Sequence, residues 1–193
     1  MARPKQFVPD EALDAAMRLF WVQGYEATSM QELVACTGVH KRSMYDTFGD
    51  KHALFVKALA RYADAQEARL QDAAEGTGSA IETIRALLET SVPDVTAQQP
   101  RGCLLVNSAT ELGVRDPEAA GHVDQHFALA QRVLRDLVER GRRDGEIATR
   151  LEPAALATLL HNAWLGLRVN SAAGVPPSQL QAGVDATIAM LVA

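Results

Sequence analysis

Apolar residues recur at helical spacing along almost the whole chain. Leu13, Met17, Phe20 and Trp21 fall at i, i+4, i+7 and i+8 and predict one buried helix face. Pro9, Asp10 and Glu11 precede them. Proline is tolerated in a first turn, and carboxylates there meet the positive end of the helix dipole. Gly24 is the expected C-terminal cap, with Tyr25 folding back on the core. Two capping boxes overlap next, Thr28 with Gln31 and Ser29 with Glu32, and the spacing does not choose between them. Met30, Leu33 and Val34 form the inner face of this second helix, Cys36 near its end reads as core, and Gly38 supplies a turn. A third helix is predicted from about His40 to Phe48. At helical pitch Met44 and Phe48 lie about 40° apart, with Arg42 and Asp46 on the opposite side.

Asp50 is placed to cap a fourth helix that begins at Lys51 and carries Leu54, Phe55, Ala58, Leu59 and Tyr62 toward Gly76. The Gly-Thr-Gly-Ser stretch at 76–79 breaks the pattern. Ile81, Ile84, Leu87 and Leu88 follow, up to Pro93, and then a short apolar segment from Cys103 to Leu112. A long helix is predicted after Asp116 with the stripe Val123, Phe127, Ala130, Leu134 and Leu137. Pro153 opens another, with Leu156, Leu159, Leu160, Trp164 and Leu167, closed by Gly174. The last carries Leu180, Val184, Ile188 and Leu191. No alternating strand pattern competes, so the expected class is all-α.

Composition narrows this reading only slightly. The chain has 193 residues, 48% hydrophobic and 22% charged, enough for one large or two small globular domains. No run of about 18 apolar residues predicts a membrane span. The first residues lack the apolar middle of a secretory signal, so the expected compartment is the cytoplasm. A net charge of −5 argues against nucleic acid only if it is evenly spread. It is not: residues 1–60 balance seven Lys/Arg against seven Asp/Glu, and all four lysines fall within the first 57 residues. Cys36 and Cys103 are too few for a disulfide framework or a metal cluster. Arg3 and Lys5 lie in a short polar tail able to reach phosphates.

A short helix, a glycine turn and a second helix with an exposed polar arc describe a helix-turn-helix. Thr28 is a candidate to cap the first of these helices and aim its N-terminus at a phosphate. Lys41, Arg42, Ser43 and Tyr45 on the second offer cationic, hydroxyl and phenolic groups to bases or phosphates, and Lys51 adds a charge at another helix start. Residues 16–33, Ala-Met-Arg-Leu-Phe-Trp-Val-Gln-Gly-Tyr-Glu-Ala-Thr-Ser-Met-Gln-Glu-Leu, closely resemble the N-terminal signature of the TetR family of bacterial transcriptional regulators. Residues 37–55, Thr-Gly-Val-His-Lys-Arg-Ser-Met-Tyr-Asp-Thr-Phe-Gly-Asp-Lys-His-Ala-Leu-Phe, continue it.

The resemblance implies about nine helices: a three-helix helix-turn-helix domain at 1–57 and a larger helical ligand-binding and dimerisation domain at 58–193. It implies DNA contacts at Thr28, Lys41, Arg42, Ser43, Tyr45, Thr47 and Lys51. It also implies a homodimer paired through the last two helices, about 153–174 and 177–192, and a ligand-responsive repressor acting on double-stranded DNA. His40 and Arg42 stand where many members have Ser and Gly, and Asp46 where an aromatic is usual, so the operator sequence does not carry over. Asp46 either accepts from a cytosine amino group or orients Arg42 at i+4.

Residues 101–108, Arg-Gly-Cys-Leu-Leu-Val-Asn-Ser, are similar to a TetR subgroup with Gly-Cys-Leu at this place, where in some members the cysteine is linked to sensing electrophiles or oxidants. A helix start with Arg101 nearby favours a reactive Cys103 thiol; the alternative is a buried small apolar residue. Asn107, Phe127, His161 and Trp164 are the candidate pocket walls. His122 and His126, at i and i+4, have no third ligand at clear spacing, so neither metal nor cofactor is expected. An enzyme using Cys103 as nucleophile needs a base, and no histidine lies near it in sequence. A DNA-independent interaction module has no reason to carry the polar arc of the third helix.

Overall fold

The structure, a computed structural model, describes residues 7–94 and 102–192. Arg3, Lys5 and Arg101 lie outside that range. Among the described residues there are nine α-helices and no strand. The first four are α1 Pro9–Gln23, α2 Met30–Thr37, α3 Lys41–Phe48 and α4 Lys51–Glu75; α5 Ala80–Glu89 and α6 Leu104–Glu111 follow. A single 3-10 turn at Gly113–Arg115 leads into α7 Pro117–Arg143, then α8 Pro153–Ala172 and α9 Pro177–Val192.

The predicted punctuation is present as chemistry. Gly24 and Gly38 take the positive φ that ends α1 and α2. Asp50 and Asp116 cap α4 and α7 by accepting from the backbone N–H groups of Ala53 and Ala119. Between the two candidate boxes at α2 the structure selects Ser29. Its Oγ accepts from Glu32 N at 3.2 Å, and the Glu32 carboxylate accepts from Ser29 N at 2.8 Å.

Two cores divide the interior. One gathers Phe20, Leu33, Met44, Phe48, Leu54, Phe55 and Leu59, and is closed by Cys103, Leu104, Leu105 and Val106 at the start of α6. The other holds Leu70, Ile84, Leu88, Leu134, Leu137, Leu160, Trp164, Val184 and Leu191. α4 contributes to both, and it crosses the expected boundary at 57/58 without a break. The first core therefore joins the helix-turn-helix to α6 rather than ending with it.

Several apolar assignments change. On α1 the fully buried line is Ala12, Ala16 and Phe20, while Leu13, Met17 and Trp21 are half-buried beside it. Cys36 is exposed rather than core, its Sγ 3.4 Å from Leu33 O. On α7 the buried place expected for Phe127 belongs to His126, and Phe127 is half-buried. Leu159 on α8 is 41% exposed. The stripe Leu180, Val184, Ile188 and Leu191 lies inside this chain's own core and so is not a face free for pairing.

α5 and the turn after α7 approach closely because Gly141 has no side chain. A Cβ there would lie 2.7 Å from Ile147 Cδ1 and 3.1 Å from Ala80 Cβ. Gly141→Ala is expected to destabilise the chain by about 1–3 kcal/mol through overpacking, read as a lower urea midpoint at an unchanged denaturant slope.

Candidate nucleic-acid interface and buried sensor cluster

The helix-turn-helix presents one face built by its own caps. Met44 and Phe48 turn α3 inward, at 0% and 5% exposure, and this leaves Lys41, Arg42, Tyr45 and Asp46 outside. Ser43 and Thr47 are half-buried at the edges. Arg42 and Asp46 approach to 3.9 Å with both side chains largely in water, so the pair holds the guanidinium only weakly. Arg42 is thus free to reorient toward a base edge or a phosphate.

Two members of the expected contact set do other work. Thr28 is 1% exposed, and its hydroxyl donates to Gly24 O at 2.6 Å, so it neither caps α2 nor offers its side chain to a ligand. The cap residue beside it, Ser29, is the exposed one. Lys51 donates to Tyr25 O and Thr28 O at 2.9 Å each, with its ammonium 4.3 Å over the Tyr25 ring. Two of its three N–H donors are thereby used, leaving one. Lys57 donates to Phe48 O at 3.0 Å and satisfies the C-terminal end of α3. The lysine enrichment of this segment is partly structural.

The head is tied to the rest through the end of α6. The Glu111 carboxylate accepts from the backbone N–H groups of Tyr25 and Glu26 at 2.9 and 2.8 Å. Gly24 allows this approach: a Cβ there would meet Glu111 Oε2 at 2.8 Å. His52 of α4 pairs with Asp116 at 2.9 Å across the same junction. An open hollow of about 490 Å³ lies beside these contacts, lined by Tyr25, Glu26, His52, Leu112, Arg115 and Asp116 among others.

At the opposite end of α6 a buried polar cluster surrounds Cys103. Arg168 of α8, 5% exposed, donates from Nη1 to Cys103 Sγ at 3.0 Å and lies 4.0 Å over the Trp164 ring. Trp164 donates to Thr90 Oγ1 at 3.2 Å. Tyr62 lies against Cys103 and Trp21, and burial, reinforced by the thiol beside it, raises its phenol pKa. His161 is buried, stacks edge-on with Phe127 at 5.1 Å, and has Nδ1 3.4 Å from Gln131 Nε2. His126 is 1% exposed and its Nδ1 has no hydrogen-bond partner. Asn107 is half-buried on α6.

The structure thus brings Cys103, Trp164 and His161 into one region and adds Arg168, His126 and Tyr62. The sequence pattern gave no warning of Arg168, which reads as a solvated charge on an apolar helix. His126 was legible only as half of an i, i+4 histidine pair. Among the described residues no group of three metal-ligating side chains comes together. None of the described helices is long and apolar enough to cross a membrane.

This geometry agrees with comparisons over nearly the whole chain. Residues 12–58 match the model of bacterial regulatory proteins of the tetR family, and residues 80–187 match the tetracyclin repressor-like C-terminal domain. The repressor ComR of Escherichia coli (strain K12) is 31% identical over 92% of this chain and 86% of its own. The uncharacterised regulator YezE of Bacillus subtilis (strain 168) is 29% identical over 99% of this chain and 100% of its own. A cysteine-substituted variant of the regulator CifR, solved on a 26 bp double-strand operator DNA, superposes with TM-score 0.85 at 31% identity. That match covers 98% of this chain and 100% of the other. The chain belongs to the TetR family and is a helix-turn-helix transcriptional regulator.

The buried histidines make stability depend on pH. Burial, then Arg168 and His161, push His126 down to about 4 from its ordinary 6.5. His161 shifts the same way through burial and Arg168. Below 6.5 the unfolded chain takes up a proton that the folded chain refuses, so this stability is complete above that pH. It falls as pH drops from 6.5 toward about 4, by a total of about 3 kcal/mol for His126. Urea midpoints at pH 7.5 and 5 should therefore diverge, and His126→Phe should narrow the gap.

Proposed function

We propose that the protein is a sequence-specific repressor that binds a pseudo-palindromic operator as a homodimer and is released by an effector sensed around Cys103. The observation carrying the DNA reading is the exposed arc of α3, with Arg42 at 95% side-chain exposure beside Lys41 and Tyr45. The proposed contacts are Lys41, Arg42, Ser43, Tyr45 and Thr47, with the remaining donor of Lys51; Ser29 takes the place first assigned to Thr28. In this reading the head comprises residues 1–57 and the effector and pairing domain residues 58–193. CifR, solved on operator DNA, and ComR, a repressor, support the same assignment. Such a regulator works in the cytoplasm.

Pairing through α8 and α9 is supported by their outer surface, since their apolar stripes lie inside this chain's own core. Leu159, Val169 and Met190 are 41%, 47% and 50% exposed, and Ala182, Ala186 and Ala189 lie exposed along α9. Small residues there let two helix pairs approach closely, and the large ones supply apolar area. Dimer geometry would then set the two α3 helices about 34–36 Å apart, one turn of DNA.

Asn107, Phe127, His161 and Trp164 remain the proposed effector contacts around Cys103. The enzyme reading loses support at the same place, because the groups bonded to the thiol are the Arg168 guanidinium and the Tyr62 phenol, whose pKa is raised, and neither serves as a base.

Fluorescence anisotropy with the DNA flanking its own gene tests the function. Arg42→Ala and Tyr45→Ala should each weaken binding, by about tenfold to a hundredfold for Arg42, and binding should fall steeply with salt. Unchanged affinity in both variants, with folding intact, contradicts the assignment. In sedimentation, Met190→Asp should shift the protein from a dimer to a 20.8 kDa monomer.

A further inference from the structure

The start of α6 gathers positive potential in the interior. Arg168 is buried there, and among the described residues no carboxylate forms a salt bridge with it. α6 begins at Leu104 behind the N-cap Cys103, whose side chain makes no capping bond, so the positive end of the helix dipole faces the same spot. His126 brings a ring nitrogen with no partner at 1% exposure. A native structure normally satisfies a buried polar atom, and this one stands beside a buried guanidinium, where a bound group could supply its partner. His161 and Tyr62 complete the surroundings, so a guanidinium, two imidazoles, a phenol and a thiol converge without a fixed anion among them.

We propose that this cluster is the binding pole for an anionic effector, a small apolar or aromatic molecule carrying one carboxylate. The carboxylate accepts from Arg168 and from His126 in its Nδ1–H tautomer, and the apolar body lies against Phe127 and Trp164. Arg168 suits this role because a guanidinium matches a carboxylate with two parallel donors, and a partner in a dry site gains most from charge-assisted hydrogen bonds. The inference rests on the regulator reading and names the ligand class it takes. It also supplies a route to the head, since α6 joins this pole to Glu111, which holds the Tyr25 and Glu26 amides.

The test uses the full-length protein with benzoate, phenylacetate and hexanoate, each against its neutral amide, by isothermal titration, with operator anisotropy in parallel. At least one carboxylate should bind about tenfold or more tightly than its amide and lower operator affinity. Arg168→Gln should abolish that preference, and Arg168→Lys should keep part of it. His126→Phe, chosen in case the arginine variants unfold, should weaken binding of the carboxylate but not of the amide. No carboxylate binding, or equal binding of acid and amide, overturns the proposal. If operator binding is intact while the carboxylates fail, only this inference falls. If the native protein never binds the operator, the regulator reading falls instead, and the preference for acid over amide still scores the pole.

Discussion

Everything in this molecule hangs on the continuity of α4. It is one helix of 25 residues whose first turns complete the core of the helix-turn-helix and whose later turns enter the core of the body. Lys51 and Lys57 fasten it further, by donating to carbonyls at the α1–α2 turn and at the end of α3. A helix shared in this way cannot tilt at one end alone without opening a packed contact at the other. Close-packed interiors resist such gradual deformation and move between discrete arrangements. In the proposed homodimer this property matters, because the distance between two reading helices would change as a unit.

α6 gives the body a second hold on the head. Its eight residues, Leu104–Glu111, lead from the Cys103 cap, in contact with Arg168 of α8, to Glu111, bonded to two backbone amides of the α1–α2 turn. Gly24 is required at that turn by its φ of +84° and also by the carboxylate that occupies the space of a Cβ. One short helix thus touches both the helix that would form the dimer and the turn that orients the proposed DNA face. An effector that displaces the start of α6 has a continuous path of packed groups to the head. In thermodynamic terms it need only bind one of two arrangements more tightly.

Electrostatics separates the two ends of this system. Around α3 the charges stand in water, where pairs such as Arg42 and Asp46 hold weakly and remain available to a polyanion. Around Cys103 the polar groups are buried, and the same Coulomb forces act through a poorer screen. Burial, with Arg168 as the second cause, lowers the pKa of both inner histidines, while the outer arginine is free to change partners.

The sequence by itself determined the helices, their caps and the turn that makes the reading motif. These depend on local chemistry: a glycine where φ must be positive, a carboxylate or hydroxyl three residues from an amide, and apolar side chains at helical spacing. It also determined the outward arc of Lys41, Arg42 and Tyr45, because Met44 and Phe48 leave α3 only one inner face. Local rules could not choose between Thr28 and Ser29, since both satisfy the same box; the carbonyl of Gly24 claimed the Thr28 hydroxyl. Only the tertiary structure decided that Cys36 is exposed, that the apolar stripes of α8 and α9 are internal, and that His126 and Arg168 are buried beside Cys103. Arg168 and Cys103, for one, stand 65 residues apart in the chain and meet only because α8 packs against α6. Hydrophobic periodicity ranks a polar residue as outward until a partner helix covers it.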